Sequence, residues 1–260
     1  MKKIDKIKKY WDKKALEFRK KCNNEMGNTL KDENLRRLEI EAVATYLKSN
    51  INVLEIGCGN GYSTVNFAKK YNLNICGMDY SKEMVDNANT LLKNKQSSIK
   101  GRVEFMYGDV LDKDSIKDKY DVIITERCLI NLGTWDNQKR AITYIKDKLE
   151  SDGLFLMLEG FIDNLTKINE IRKKFNLDPI KVVWHNLFFK KSKFENFITK
   201  YFDIEKIDNF GSTYMLISRC YLHAIQKNEN IFDEKLDYLA SLLPNFGDYN
   251  YQQLYVLRKK

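Results

Sequence analysis

The sequence lacks any long apolar run. No stretch of its 260 residues approaches the roughly 18 apolar residues that a membrane-spanning helix requires. The basic start of the chain also has no continuous apolar core of the kind that a signal peptide carries. Aromatic residues, which are scarce in disordered chains, make up 12% of this one. We therefore expect a folded protein without a membrane span.

Cysteine pairs and histidine clusters are also missing. The five cysteines are odd in number, none forms a CxxC pair, and there are only two histidines. Disulfide frameworks and zinc sites both need repeated cysteine or histidine spacings. We expect reduced thiols in a cytoplasmic protein that holds no metal ion.

Basic charge is concentrated at the two ends of the chain. Lysine and arginine number 45 against 36 acidic residues, for a net charge of +9. Residues 1–21 carry ten basic and three acidic side chains, residues 258–260 add three basic ones, and residues 22–257 have a net charge of −1. A nucleic-acid groove spreads its basic residues over a folded face. A small-molecule substrate is therefore expected rather than nucleic acid, and the oligomeric state is left open.

The basic start of the chain has the pattern of an amphipathic helix. Apolar residues recur there at steps of three and four, namely Ile4, Ile7, Trp11, Ala15 and Phe18. This spacing places them on one helical face, which we expect to pack on the rest of the domain. We predict an N-terminal helical cap over residues 1–48 and a catalytic domain over 49–260.

Short apolar runs alternate with amphipathic helical patterns through the middle of the chain. Alternation of this kind predicts a mostly parallel sheet with helices on both faces. The predicted strands are Ile51–Ile56, Leu73–Met78, Val103–Met106, Val122–Thr125 and Leu154–Leu158, and the predicted helices are 33–48, 62–70, 82–93 and 137–149.

The C-terminal part is predicted to end the sheet. Ser192 and Glu195 have the spacing of a capping box, which predicts a helix over 193–200. Two further strands, Phe202–Asn209 and Thr213–Tyr221, are predicted to form an antiparallel pair. Residues 160–190 interrupt the alternation after the fifth strand. We expect this insert to cover a site at the carboxyl ends of the strands.

A glycine-rich turn follows the first strand. Gly57, Gly59 and Gly61 let the backbone turn tightly and let a ligand approach main-chain N–H groups at a helix start. Tyr62 stands where a dinucleotide fingerprint would place its third glycine, which argues against a pyrophosphate ligand. Such a turn alone does not identify the ligand.

Two carboxylates follow the next two strands. Asp79 ends the second strand, where it can accept both hydroxyls of a ribose, and Asp109 follows the third, where it can accept an adenine amino hydrogen. Together with the glycine turn they predict an adenosine pocket.

The pattern resembles the class I S-adenosylmethionine-dependent methyltransferases. The resemblance is carried by VLEIGCGNGYS at 53–63, GMDYSKEMVDNA at 77–88, VEFMYGDV at 103–110, YDVIITER at 120–127 and LESDGLFLMLEG at 149–160. It implies an α/β fold with a Rossmann-like seven-stranded sheet, mostly parallel, whose last strand is antiparallel. It also implies S-adenosyl-L-methionine as cofactor and S-adenosyl-L-homocysteine as product.

The resemblance carries roles over to particular residues. Glycines 57, 59 and 61 line the methionine portion, Asp79 holds the ribose, and Asp109 meets the adenine amino group. Tyr80 and Met84 flank the adenine, and Trp11 closes over the cofactor. The cofactor-binding residues so predicted are Trp11, Glu55, Gly57, Cys58, Gly59, Asn60, Gly61, Asp79, Tyr80, Ser81, Met84, Gly108, Asp109, Val110, Thr125 and Glu126.

The turn after the fourth strand bears on the acceptor. It carries Thr125-Glu126-Arg127-Cys128, not the Pro-Pro-aromatic tetrad of amino-methylating DNA enzymes. Cys128 has no preceding proline, so nucleophilic attack on a pyrimidine is not indicated either. We predict His185 and Arg127 as catalytic residues, although packing for the histidine and an ion pair for the arginine are the alternatives. The predicted acceptor-binding residues are Arg127, Asn131, Arg172, His185, Tyr214 and Arg219.

A second resemblance concerns the flanking segments. WDKKALEF, TERCLINL and NFGSTYMLISR are similar to segments of bacterial small-molecule methyltransferases from capsule and surface-polysaccharide gene clusters. It implies O-methylation of an anionic, phosphate- or phosphoramidate-bearing precursor. Two alternatives stay open, namely an RNA methyltransferase and a catalytically inactive, cofactor-binding partner subunit.

Overall fold

The computed structural model describes residues 3–21, 32–226 and 234–260. Cys22 and the side chain of Phe18, the last member of the predicted apolar stripe, lie outside this description. No helix within these ranges is long and apolar enough to cross a membrane.

Seven strands form one sheet in the order β3-β2-β1-β4-β5-β7-β6. All pairs are parallel except those of β7, which runs antiparallel to both β5 and β6. The predicted mixed sheet with an antiparallel last strand is therefore confirmed. The strands are β1 (Asn52–Ile56), β2 (Asn74–Asp79), β3 (Arg102–Tyr107), β4 (Tyr120–Glu126), β5 (Leu149–Gly160), β6 (Phe202–Asp208) and β7 (Gln252–Lys259).

Helices cover both faces of the sheet, because alternate strand residues point to opposite sides. Val53 of β1 joins one buried apolar cluster and Leu54 joins the other. The helices are α1 (Lys3–Lys21), α2 (Glu33–Ala44), α3 (Tyr62–Lys70), α4 (Lys82–Lys95), α5 (Trp135–Asp147), α6 (Ile162–Lys174), α7 (Lys191–Ile198), α8 (Ser212–Leu216), α9 (Leu222–Gln226) and α10 (Glu234–Ser241).

One predicted strand is wrong. Residues 213–221 are helical, with α8 running into a π-helical turn at Ile217–Tyr221. A short apolar run fits a strand and a buried helix equally well. The true partner of β6 is Gln252–Lys259, whose first six residues are buried. The predicted antiparallel pairing exists, but with a different segment.

The predicted capping box is also wrong. Helix α7 begins at Lys191, one residue before Ser192, and its first N–H donates to the Asp163 carboxylate at 2.8 Å. Glu195 does not reach back to the helix start, because its carboxylate accepts a hydrogen bond from the Tyr255 hydroxyl at 2.9 Å. Tertiary partners on α6 and β7 replace the local cap.

Helix α1 lies against α4, beside the loops at the carboxyl ends of the strands. Ile7 and Ala15 are completely buried, and the Asn87 amide donates to the Ala15 carbonyl at 3.1 Å. The Ser81 hydroxyl, at the start of α4, donates to Asp12. This packing places Tyr10 and Trp11 above the carboxyl ends of the strands.

Candidate active site

The glycine turn takes the tight, left-handed conformation that its sequence predicts. Gly57, Gly59 and Gly61 all have positive φ, at 75°, 56° and 75°. The Gly57 N–H donates to the Met78 carbonyl at 2.7 Å, which ties the turn to the end of β2. Gly61 is the residue that begins α3.

Replacing Gly57 with alanine tests this turn. A Cβ at Gly57 would lie 2.6 Å from Cys128 Sγ and 2.7 Å from its Cβ. We expect Gly57→Ala to lower the free energy of unfolding by about 2 kcal/mol, about half from backbone strain and half from overpacking. Gly133→Ala is the matched control, because Gly133 has φ 76° but its nearest neighbour would lie 3.8 Å away. Equal losses in urea denaturation of the two variants would show that the contact with Cys128 has no effect.

Asp79 is fixed beside the glycine turn. Its Oδ2 accepts from the Gly59 N–H at 3.0 Å and its Oδ1 from the Ser81 N–H at 2.9 Å. The side chain is buried, and this burial raises the pKa of Asp79 to about 6. The carboxylate therefore closes the turn and also faces the cavity described next.

A cavity of about 360 Å³ lies above the carboxyl ends of the strands. This volume falls in the ordinary range for small-molecule sites. It joins the glycine turn to the segment that carries His185. Its lining comprises Tyr10, Trp11, Arg36, Gly57, Cys58, Gly59, Asp79, Tyr80, Met84, Glu126, Arg127, Cys128, Ile130, Asn131, Leu165, Ile180, Lys181, Val183, His185, Asn186, Phe188, Tyr251 and Gln252.

A smaller adjoining cavity holds the end of β3. It is lined by Gly108, Asp109 and Val110, and it shares Asp79 and Tyr80 with the larger one. The Asp109 Oδ1 accepts from the Leu111 N–H at 2.9 Å. The two acids that sequence analysis paired as ribose and adenine ligands therefore face neighbouring spaces.

Five residues predicted to bind the cofactor line neither cavity, and all five are buried. The buried Glu55 accepts from the Thr64 hydroxyl, and burial raises the pKa of Glu55 to about 8. Gly61 and Ser81 begin helices α3 and α4. Asn60 and Thr125 are buried. These residues support the walls of the site.

A buried ionic network forms part of the cavity wall. Arg36 Nη1 lies 3.0 Å from a Glu126 oxygen and 3.3 Å from a Glu39 oxygen. Arg127 Nη2 lies 3.4 Å from the same Glu39 oxygen, so Arg127 is paired on the α2 side. Two guanidinium groups therefore face the carboxylates of Glu39 and Glu126, and burial raises the pKa of the nearby Glu55.

Sequence analysis missed Arg36 and Glu39. A signal was present, because Glu39 falls midway between Leu35 and Val43 on the buried face of α2. A charged residue at an apolar position of a helix implies a buried partner. Only the fold shows that the partners come from the turn after β4.

Aromatic side chains cover the cavity. The Tyr10 and His185 rings stack with centroids 4.7 Å apart, and Trp11 and Trp184 meet His185 edge-on at 5.5 and 5.4 Å. His185 is 6% exposed and its Nδ1 has no hydrogen-bond partner among the described residues. Burial lowers the pKa of His185 below its ordinary value. The imidazole is therefore neutral at neutral pH.

Three predicted acceptor-binding residues lie outside the cavity lining. Arg219 pairs with Asp32, and the Tyr214 hydroxyl donates to the same carboxylate at 2.7 Å. The buried Arg172 donates from Nε to the Asp178 carbonyl at 2.7 Å, and from Nη1 to the Arg219 carbonyl. The helical form of 213–221 turns Tyr214 and Arg219 toward Asp32, and their role in acceptor binding stays a prediction. Arg127, Asn131 and His185 do line the cavity.

The fold and the site together define an enzyme of the methyltransferase class. Residues 47–187, more than half of the chain, match the family described as "Methyltransferase domain". The chain belongs to this family. Among the described residues, no group of three or more His, Cys, Asp or Glu side chains is placed to hold a metal ion.

Relatives of several activities resemble the chain. Carboxy-S-adenosyl-L-methionine synthase of Nautilia profundicola is 29% identical over 186 residues, which cover 69% of this chain and 76% of that protein. Ribosomal protein L11 methyltransferase of Dictyoglomus thermophilum is 28% identical over 52% of this chain and 44% of that protein. The crystal structure of magnesium protoporphyrin IX methyltransferase from Synechocystis PCC 6803 with bound S-adenosylmethionine shares the fold. Its TM-score is 0.62 at 12% identity, with 100% of this chain and 98% of that chain covered.

Three buried polar atoms on the cavity wall fit S-adenosylmethionine as a ligand. The Tyr80 hydroxyl, Glu126 Oε1 and Arg36 Nε are buried and have no hydrogen-bond partner among residues 3–21, 32–226 and 234–260. Buried polar groups are normally paired. A ligand with an ammonium group, a carboxylate and ribose hydroxyls supplies both donors and acceptors for them.

Proposed function

We propose that this enzyme transfers the methyl group of S-adenosylmethionine to an oxygen of a small-molecule acceptor. The observation that carries the proposal is the larger cavity, whose lining includes both the glycine turn and His185. At one end, Asp79 and the glycine turn are expected to bind the cofactor. At the other end, α1 and residues 180–188 cover the cavity. An acceptor bound there would be held beside the methyl group.

The cofactor end is assigned from its chemistry. Asp79 accepts the ribose hydroxyls, Asp109 accepts the adenine amino hydrogen, and the glycine turn receives the methionine portion. Arg36 Nε and Glu126 Oε1, which have no hydrogen-bond partner among the described residues, can meet the carboxylate and the ammonium group of the methionine end. When bound, S-adenosylmethionine supplies a methyl group on a sulfonium, which is a good leaving group. The protein's task is to orient the two reactants and to exclude water.

An uncharged hydroxyl is the acceptor group that the cavity supports best. Arg127 is paired with Glu39, and Arg172 and Arg219 lie elsewhere, so the basis for a phosphate-bearing acceptor is weakened. A hydroxyl needs a base, whereas a phosphate oxygen does not. His185 lines the cavity and its Nδ1 has no hydrogen-bond partner among the described residues, so it can serve as that base. A sugar hydroxyl of a surface-polysaccharide precursor belongs to this class.

Two measurements test the proposal. Calorimetry should show one site for S-adenosylhomocysteine per chain. Tritium from S-adenosyl-L-[methyl-³H]methionine should then pass to a panel of hydroxylated small molecules and not to RNA. Absence of cofactor binding would refute the proposal. Binding without transfer would indicate an inactive partner subunit, and salt-sensitive transfer to RNA would indicate the nucleic-acid alternative.

A further inference from the structure

The loop after β4 contributes four residues to the cavity lining. These are Arg127, Cys128, Ile130 and Asn131. The loop turns sharply, since Arg127 has φ 53°, and it continues as a 3₁₀ turn over Leu129–Asn131. A non-glycine residue in this conformation is strained and persists only when its surroundings hold it. The loop therefore needs an external support.

The Glu159 carboxylate supplies that support. Glu159 lies near the end of β5 and is completely buried. Its Oε1 accepts from the N–H groups of Cys128 and Leu129 at 3.1 and 2.9 Å, and its Oε2 accepts from the Ile130 N–H at 3.2 Å. Three consecutive N–H groups at the start of a helical turn otherwise have no partner in the turn itself. One carboxylate satisfies all of them.

The two segments that cover the cavity, α1 and residues 180–188, are both hydrogen-bonded to this loop. The Trp11 Nε1–H of α1 donates to Asn131 Oδ1 at 3.2 Å, and the Asn131 amide donates to the Arg127 carbonyl at 2.8 Å. On the other side, the Leu187 N–H donates to the Ile130 carbonyl at 2.7 Å, two residues after His185. A displaced loop would therefore move Trp11 and His185 together.

We propose that Glu159 is a positioning residue of the methyl-transfer site. Its carboxylate holds the loop 127–131 in the one conformation that seats α1 and the segment 180–188 over the cavity. The inference rests on the proposed function, because it concerns the same site. Nothing in the glycine turn or in the adenosine acids identifies Glu159, since its side chain does not line the cavity.

Two substitutions at this position separate its roles. Glu159→Ala removes both acceptor oxygens. Glu159→Gln keeps one oxygen for Cys128 and Leu129 but turns an amide donor toward the Ile130 N–H. Glu195→Ala is the matched control, because Glu195 also accepts a hydrogen bond, from Tyr255, but lies on α7 and outside the cavity lining.

The readouts are amide hydrogen exchange and binding of S-adenosylhomocysteine, both measured well below the melting temperature of each variant. We expect Glu159→Ala to weaken binding about tenfold and to accelerate exchange in 127–131 and 180–188 by a similar factor. Glu159→Gln should give intermediate values, whereas a role in packing alone would give full rescue, because glutamine has the size and shape of glutamate. The control should lower the melting temperature without either local effect.

Normal binding by Glu159→Ala, or unchanged exchange in the loop, would overturn the inference. So would equal losses of binding in Glu159→Ala and Glu195→Ala, since a general loss of stability would explain both. The exchange measurement needs no ligand. If the wild-type protein fails to bind S-adenosylhomocysteine, the proposed function fails, while the exchange data still decide whether Glu159 holds the loop.

Discussion

Replacing Asp79 with alanine should weaken binding of S-adenosylhomocysteine by about 100-fold or more. Two hydroxyl donors on one carboxylate amount to about 3 kcal/mol of binding free energy, since hydrogen bonds to charged groups contribute about 1.5–3 kcal/mol each. Asp79→Ala also frees the Gly59 and Ser81 N–H groups, so the glycine turn loses a support. Calorimetry measures the affinity, and urea denaturation separates it from any loss of stability.

The pH dependence of the same binding has a definite sign. Ribose hydroxyls donate to the ionised carboxylate, and burial raises the pKa of Asp79 to about 6. Affinity should be full above this pKa and should fall as the pH drops through it. Asp79→Asn, which cannot ionise, should remove this dependence and keep one acceptor oxygen. A wild-type affinity that rises on acidification would contradict the assignment.

Replacing His185 with glutamine should lower methyl transfer by about 100-fold, the lower end of what a general base contributes. Binding of S-adenosylhomocysteine should stay within about twofold, because the imidazole acts on the acceptor proton. His223→Gln is the control, since His223 lies 3.2 Å from Arg172 and outside the cavity lining. The assay is tritium transfer to the hydroxyl acceptor that the panel identifies.

An unchanged rate in His185→Gln would identify an acceptor oxygen that is already ionised. That outcome would return the phosphate-bearing class to first place. It would leave the cofactor assignment intact, because that assignment rests on Asp79, Asp109 and the glycine turn and not on His185. The two substitutions therefore test the two ends of the site independently.

The ionic network shows why arginine positions alone do not identify an anionic ligand. Arg127 follows a strand end, as a phosphate-binding arginine would. Its guanidinium is instead paired with Glu39, which is more than 80 residues earlier in the chain. A buried charge needs a partner, and a ligand has to compete with the partner already present. The sequence contains both residues but does not show that they meet.

The sheet was predictable from the sequence because local patterns dictate it, and the same patterns predict where the cofactor end lies. Alternation of buried strands and amphipathic helices implies a parallel sheet, and carboxyl ends of parallel strands meet at one edge. Gly57, Asp79 and Asp109 were therefore predictable as neighbours from their places at three strand ends. Each is specified by the residues beside it in the chain.

Which residues face the acceptor end of the cavity depends on contacts between segments that are distant in the sequence. Residues 213–221 alternate well enough for a strand, yet β7 occupies that place in the sheet, between β5 and β6. The helical form then turned Tyr214 and Arg219 toward Asp32. The segments that cover the cavity are likewise held by long-range hydrogen bonds, from Trp11 to Asn131 and from Leu187 to Ile130. Local periodicity determined the fold and the cofactor turn, whereas tertiary packing decided which charged side chains were already paired and which faced the cavity.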